Sequence, residues 1–565
     1  MVGYKQRLEI AMAANSPAPA TRGPLVSNLF AELLRLWGTG HLSATAVQKV
    51  AHAATLDGIS NDNVMKLAKL GSWGQHSSNV HRDLLTFLEM DLPKPVSVSA
   101  PAYDSKLATP ETVCDLPILL PHEFVSHLAT KFPEQYAVLL GITKANDFWK
   151  QIHPDDPRLV GPFSECKRMR CVIPLWLHGD GVEFTSDSLM CFSWGSMLCQ
   201  DASLDNSFLA AAWPKSATTK EGAGTWHDAH HVLAWSFKAL WEGKHPTHDW
   251  QGNRIRSAIA GTRLTPDGAR FAVWQLVGDL EYMANILKLP HWNKDNFCWL
   301  CNCSRSDPTK SCMDVGHVPG WTELTVDEMV ANPASNHPFF NVIPGPAPAL
   351  RVALDVLHTV DLGYASTLSA SVLHCWCFPD GGTVANAHSI VSDIWALLKE
   401  AYQNLGTRDR LNNFKLGFFC NADKPWESAP AMKTKGAETR HLVPALALVG
   451  AMLGKRTEVD IRCCAALENL GKFYLEIEGQ GMFMSAISAE RARTWLMTSL
   501  RDYKWLREYF GESNLRFPLR PKFHWCISLA VANSKILGRN GLTRMKIGWD
   551  GWLCWRTVCR MALDQ

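Results

Sequence analysis

The chain has 565 residues, 47% hydrophobic and 19% charged, a globular composition that excludes disorder over most of its length. At about 150 residues per domain it has room for two to four domains. Lys plus Arg total 56 against 54 Asp plus Glu, and a net charge of +2 excludes an overall polycation. Tryptophan is over-used, with 23 Trp against 9 Tyr, and there are 17 Cys. The first sixteen residues are polar and charged, unlike a signal peptide. The longest apolar run, Leu442–Leu453, is shorter than the roughly 20 residues that span a bilayer. A soluble intracellular protein with reduced cysteines and no membrane partner is expected. P-loop, GxGxxG, GxSxG and HExxH patterns do not occur, which removes the commonest nucleotide, dinucleotide, esterase and zinc-protease readings.

In chain order, apolar residues recur every three or four positions over Leu25–Trp37 and Ala44–Ala54, predicting helices, with Ser43 placed to cap the second. A further helix is expected over Asp83–Leu92, so 1–92 reads as a helical N-terminal domain. Residues 93–119 are Pro/Ser-rich without periodicity and read as a linker. A helical segment, His122–Gly141, opens the region 120–345. Within that region Cys171–Leu177, Ser188–Leu198, Ser207–Trp213 and Phe271–Leu276 predict strands, and His230–Trp241 and Met283–Leu289 predict helices. Residues 346–432 read as a helical insertion and 433–565 as a helical C-terminal region. Strands followed by helices imply an α/β core with a helical N-terminal domain and helical insertion and C-terminal additions.

Asp180 follows the first apolar strand between Gly179 and Gly181, and Asp279 follows Gly278 at the end of another. Carboxylates at strand ends project into the crevice where α/β folds place their chemistry. Converging carboxylates are what two Mg²⁺ or Mn²⁺ ions require to activate water and clamp an in-line phosphoryl displacement. The plainer reading of either Asp is a turn residue.

Cys298-x2-Cys301-x-Cys303, then Cys312 and His317, form the densest ligand cluster. A Cys-x2-Cys turn supplies two ligands of a tetrahedral Zn²⁺, and Cys303, Cys312 and His317 are open for the remainder, making 298–317 a zinc-knuckle-like loop. Cys375, Cys377, Cys463 and Cys464 read as core packing, as do most tryptophans. His227, His230 and His231 read as the start of a helix rather than a metal site. The net charge conceals an asymmetry: Arg501–Gln565 holds twelve Lys or Arg against five Asp or Glu, a +7 excess suited to DNA phosphates, or else an ordinary solvated face.

Other residues add a resemblance. Leu354–Ser371, with Asp355-x-x-His358 and Asp361-Leu-Gly363, resembles the Asp/Cys-x-x-His element of eukaryotic DDE transposases, most closely the CACTA/Plavaka group. Gly278–Glu281 followed by Cys298-x2-Cys301 is similar to that group's second-acid region. Lys433–His441 is similar to its third-acid helix, and Pro521–His524 adds a further match. The resemblance is scattered over roughly 170–530. It implies an RNase H-like core that cuts and joins DNA with two Mg²⁺ or Mn²⁺ ions held by Asp180, Asp279 and Glu438. Asp355 and His358 would sit beside them, in a nuclear protein acting as a homo-oligomer. Glu468, Glu476 and Glu478 are the other choices for the third acid. The rival reading is a catalytically inactive, transposon-derived protein that binds DNA or another protein.

Overall fold

A computed structural model describes residues 28–535, apart from short internal stretches of which 104–110 and 200–206 are the longest. The chain divides into two compact units, Met1–Leu92 with Asp550–Gln565, and Pro93–Trp549.

In the first unit α1 (Asn28–Gly38), α2 (Ala44–Leu56), α3 (Asp62–Trp73) and α4 (Val80–Phe87) enclose a small core that includes Leu33, Trp37, Val47, Ala51, Val64, Leu67 and Leu84. Ser43 caps α2 as expected, its hydroxyl accepting the Ala46 N–H at 3.1 Å. The sequence reading missed α3, because Gly71 and Gly74 interrupt its pattern and Leu70–Ser72 leave helical geometry.

The second unit is built on a six-stranded mixed sheet. Its strands are β1 (Val96–Tyr103), β2 (Glu111–Ile118), β3 (Val172–Phe184), β4 (Asp187–Ser196), β5 (Phe208–Pro214) and β6 (Arg270–Gly278), in the spatial order β1-β2-β5-β4-β3-β6. Neighbours are antiparallel except β3 and β6, which run parallel. Helices α5 (Pro121–Lys131), α6 (Pro133–Leu140) and α7 (Ala145–Gln151) lie between β2 and β3, and α8 (Thr225–Glu242) makes the crossover before β6.

Two expectations are corrected here. Residues 93–119 are not a linker but contain the antiparallel pair β1–β2. Their alternation is carried by small residues (Val98, Ala100 and Ala102 point inward) and interrupted by Pro101, which masks a period of two. The first central strand also continues to Phe184, so Asp180 stands inside β3 rather than after it. The tryptophans behave as core fillers: Trp194, Trp274, Trp299, Trp376 and Trp525 are among the largest fully buried side chains.

Beyond β6 the sheet gains one short parallel bridge. Val352 pairs with Leu276, and the Ala353 N–H donates to the Leu276 carbonyl at 2.9 Å. A π-helical segment, Leu357–Ala365, follows immediately and runs into α9 (Ser366–Cys377). The remaining helices are α10 (Val384–Asn404), α11 (Gly436–Leu453), α12 (Glu458–Glu478), α13 (Ala486–Phe510) and α14 (Pro521–Lys535). Among the described residues no helix is long and apolar enough to cross a membrane.

Asp361, fully buried on the π-helical segment, joins three of these elements. It accepts from Arg440 of α11 at 2.6 and 3.1 Å and from the Tyr474 hydroxyl of α12 at 2.7 Å. Replacing Arg440 by Met leaves that carboxylate unpaired, and should lower unfolding free energy by about 3 kcal/mol in urea denaturation.

Close backbone approach fixes the β3–β6 pair. Gly179 and Gly278 are register partners, and the Tyr282 ring lies against both. A Cβ on Gly179 would sit 2.2 Å from that ring; one on Gly278 would sit 2.4 Å from it and 2.7 Å from the Gly179 carbonyl oxygen. Gly278→Ala should therefore cost about 2 kcal/mol by overpacking, read as a lower thermal midpoint with the secondary-structure signal retained.

Candidate functional site

Because Gly179 pairs with Gly278, the next residues, Asp180 within β3 and Asp279 just past β6, stand side by side where β6 ends. The Gly181 N–H donates to Asp180 Oδ1 at 2.7 Å, and the Tyr282 N–H donates to Asp279 Oδ1 at 2.6 Å. The second bond forms because the chain turns at once into a π-helical turn, Tyr282–Ile286, where a regular helix was expected over Met283–Leu289. Burial pushes both carboxyls above the ordinary Asp range, and for Asp279 the neighbouring Asp180 charge adds to this.

The bridge at Val352 brings Asp355 to the same end. Asp355 and His358 form a local pair: the His358 N–H donates to Asp355 Oδ1 at 3.1 Å, and a short bond joins His358 Nδ1 to Asp355 Oδ2. Burial alone would raise Asp355, but the His358 bond outweighs it and holds the carboxyl below its usual value. Burial likewise opposes charge on His358. The bond to Asp355 and the charges of Asp355, Asp180 and Asp279 win, so the imidazole holds its proton more tightly than usual.

Sequence reasoning missed three members of this cluster. His178 precedes Asp180 by two positions on β3, a spacing that places both on one face and could have signalled it. Burial pushes His178 down to about 4, so it is a neutral imidazole facing Asp355, His358 and Asp279. Lys215, just past β5, pairs with Glu281 at 3.1 Å and acts on Asp180. Lys522 of α14 acts on Asp279 and Asp355. Nothing local links Lys215 or Lys522 to the acids, since sheet order and helix packing bring them in.

Glu438 is placed differently. It stands in the first turn of α11, where its Oε2 accepts the Lys435 N–H at 2.9 Å as part of a capping box. The start of α11 packs instead on the π-helical segment, because a Cβ on Gly436 would lie 2.2 Å from Leu357 Cδ1. Of the alternatives, Glu478 approaches Arg440 at 3.9 Å and Glu468 pairs with Lys472 at 2.7 Å on the surface of α12. The basic C-terminal segment is described as far as 535, and several of its cations serve packing. Arg501, Arg507 and Arg516 donate to the carbonyls of Val315, Phe517 and Phe378.

The cysteine loop builds a second centre. Cys298, Cys301, Cys303 and His524 are all buried, and their ligand atoms lie within 4.8 Å of one another. Among the described residues no other group of three or more Cys, His, Asp or Glu gathers so closely, so the acidic cluster is a looser arrangement. Asp295 shapes the loop by accepting from the Ser304 hydroxyl at 2.6 Å and from the Arg305 and Ser306 N–H groups at 3.0 and 2.8 Å. The Leu300 N–H points at Cys298 Sγ at 3.4 Å, and Cys301 Sγ lies 3.2 Å from His524 Nε2.

This corrects the expected ligand set. The histidine comes from α14, more than two hundred residues downstream. Cys312 contributes its backbone carbonyl, which accepts from His524 Nδ1 at 3.2 Å and so turns Nε2 toward the thiols. His317 lies outside the described residues. Three thiols and an imidazole in tetrahedral reach form a soft donor set that can hold a structural metal such as zinc.

Purified protein should carry about one zinc per chain by elemental analysis. Cys301→Ser and His524→Ala should lose the metal and melt at lower temperature, whereas Cys312→Ser should keep it, because the backbone carbonyl survives. No family model and no curated protein matches this chain.

Proposed function

We propose that this chain is a transposase-like enzyme of the DDE type, cutting and joining DNA strands on an RNase H-like core. One observation carries the reading: the parallel register Gly179↔Gly278, which sets Asp180 of β3 beside Asp279 at the end of the adjacent strand β6. An RNase H-like core requires that placement of its first two acids. Asp355-x-x-His358 beside them supports the same reading, as the electrostatic coupling of His358 to both acids reflects.

Mg²⁺ or Mn²⁺ fits the donor chemistry, since Asp180, Asp279 and Asp355 offer only hard carboxylate oxygens in a half-buried recess. Such ions supply an activated water and neutralise phosphate charge. The residues holding them would be Asp180 and Asp279, with Glu438 joining by releasing its cap on the Lys435 N–H. Asp355 bonds His358 Nδ1 and strengthens its hold on its proton, which suits an imidazole contacting the scissile phosphate. His178, neutral, stands beside these groups without adding charge. The reaction assigned is attack of water on a phosphodiester, breaking the bond to the 3′-oxygen and freeing a 3′-hydroxyl. That hydroxyl then attacks a target phosphodiester and displaces its 3′-oxygen in turn. DNA is the partner, the nucleus the compartment and a homo-oligomer the working form.

The engagement of Glu438 in its own helix cap favours the second reading, a catalytically inactive DNA- or protein-binding descendant. Nicking of supercoiled plasmid separates the two. The enzyme reading expects Mg²⁺- or Mn²⁺-dependent nicking that Asp180→Asn or Asp279→Asn lowers by about 10³-fold. Glu438→Gln should do the same if it is the third acid. Wild type that binds DNA but never nicks it supports the inactive descendant, and nicking undiminished in Asp180→Asn removes Asp180 from the site.

A further inference from the structure

Helix α14 is held on two sides by residues two positions apart. His524 enters the thiol group, with Nε2 at 3.2 Å from Cys301 Sγ and Nδ1 bonded to the Cys312 carbonyl. Lys522 instead lies along the π-helical segment that begins just after Asp355. Gly363 makes room for it: a Cβ there would sit 2.8 Å from Lys522 Cδ and 3.2 Å from its Cβ. Lys522 Nζ donates to the Leu362 carbonyl at 3.4 Å, and one turn on, Cys526 Sγ approaches the Thr359 carbonyl at 3.6 Å. That segment starts two residues past Asp355 and carries His358, so the Lys522 stem lies on the element that edges the acidic cluster.

The two lysines of the recess are not equivalent. Lys215 spends its charge on Glu281, whereas Lys522 makes no ion pair among the described residues and bonds only a carbonyl there. An ammonium held against that segment without an ion partner is placed to meet an incoming anion. Its location depends on α14, and α14 is anchored by His524.

We propose that the Cys298, Cys301, Cys303 and His524 centre, with zinc bound, is a positioning device for Lys522. The Lys522 ammonium binds a phosphate oxygen of the DNA strand entering the acidic recess. The proposal rests on the reading of that recess as a DNA site and adds a second contact, set by a metal with no part in the chemistry. Zinc keeps the His524 end of α14 in place, so the lysine reaches the recess from a fixed stem rather than from a fraying helix start.

Two measurements on the full chain test it. In the first, amines are acetylated with and without zinc chelation and modification is read by mass spectrometry. Lys522 labelling should rise severalfold when zinc is withdrawn, while exposed Lys49 in the other unit stays constant. Labelling of Lys522 that is indifferent to zinc overturns the positioning role. In the second, binding of a short DNA duplex is followed by fluorescence anisotropy in Ca²⁺. Lys522→Ala should weaken binding about tenfold and lessen its salt dependence, and Lys522→Arg should restore it. Cys301→Ser should weaken binding as much, with no further loss in the double variant. Lys522→Ala keeps every thiol and His524, so its folding and zinc content can be verified independently. Unchanged affinity in Lys522→Ala overturns the DNA contact. Binding that depends on Lys522 in a protein that never cleaves overturns the enzyme reading but leaves this contact standing. A wild type that binds no duplex overturns both.

Discussion

The contact on which the rest of the acidic end depends is the close approach of β3 and β6 at Gly179 and Gly278. Two strands can run parallel at that point with a tyrosine ring across both only if neither residue carries a Cβ. Asp180 and Asp279 then have no freedom in where they emerge: each is the next residue on a strand whose register is already set. The Tyr282 N–H that holds Asp279 belongs to the residue whose ring covers the two glycines, so packing and orientation have one source. Burying two neighbouring carboxylates is unfavourable: burial raises the proton affinity of both, and the Asp180 charge adds to this for Asp279. Rigid strands hold them against that repulsion.

Around this pair the chain places cations from distant elements. His358 holds its proton more tightly through its own neighbour Asp355, Lys215 arrives from the end of β5 and Lys522 from α14. The π-helical segment Leu357–Ala365 is the common support. One side carries buried Asp361, bonded to Arg440 and Tyr474, and Gly363 admits the Lys522 stem. The thiol centre secures the same helix, α14, from beyond. A buried ion pair thus fixes the segment that carries His358, and the metal-type cluster fixes the helix packed against it. Both are interactions whose partial loss is expensive, because each leaves polar groups stranded in a dry interior.

Local physics made much of this readable from residue order. Apolar runs bounded by turn residues marked β3, β4, β5 and β6, and Asp180 and Asp279 stood out because carboxylates follow glycines there. Asp355 and His358 were legible as a unit because their bond is made within one helical turn. The Cys-x2-Cys turn was legible for the same reason, as a knuckle closes on itself. Illegible were β1, whose inward positions Val98, Ala100 and Ala102 are small and interrupted by Pro101, β2, whose inward Leu116 and Ile118 flank Pro117, and α3, cut by glycines.

The residue order by itself determined which short-range units exist: the apolar strands with their Gly-Asp steps, the Asp-x-x-His turn, the paired thiols and the cap on α2. Only the tertiary structure decided which units meet. It chose His524 over Cys312 as the fourth member of the thiol centre, put Lys522 and Lys215 beside the acids, and engaged Glu438 in its helix cap. The physical reason is range. Backbone periodicity and turn chemistry act over a few residues and leave a mark at fixed spacing. Strand register and helix packing join positions hundreds of residues apart, and any of many histidines or lysines could have filled those places without altering the local pattern.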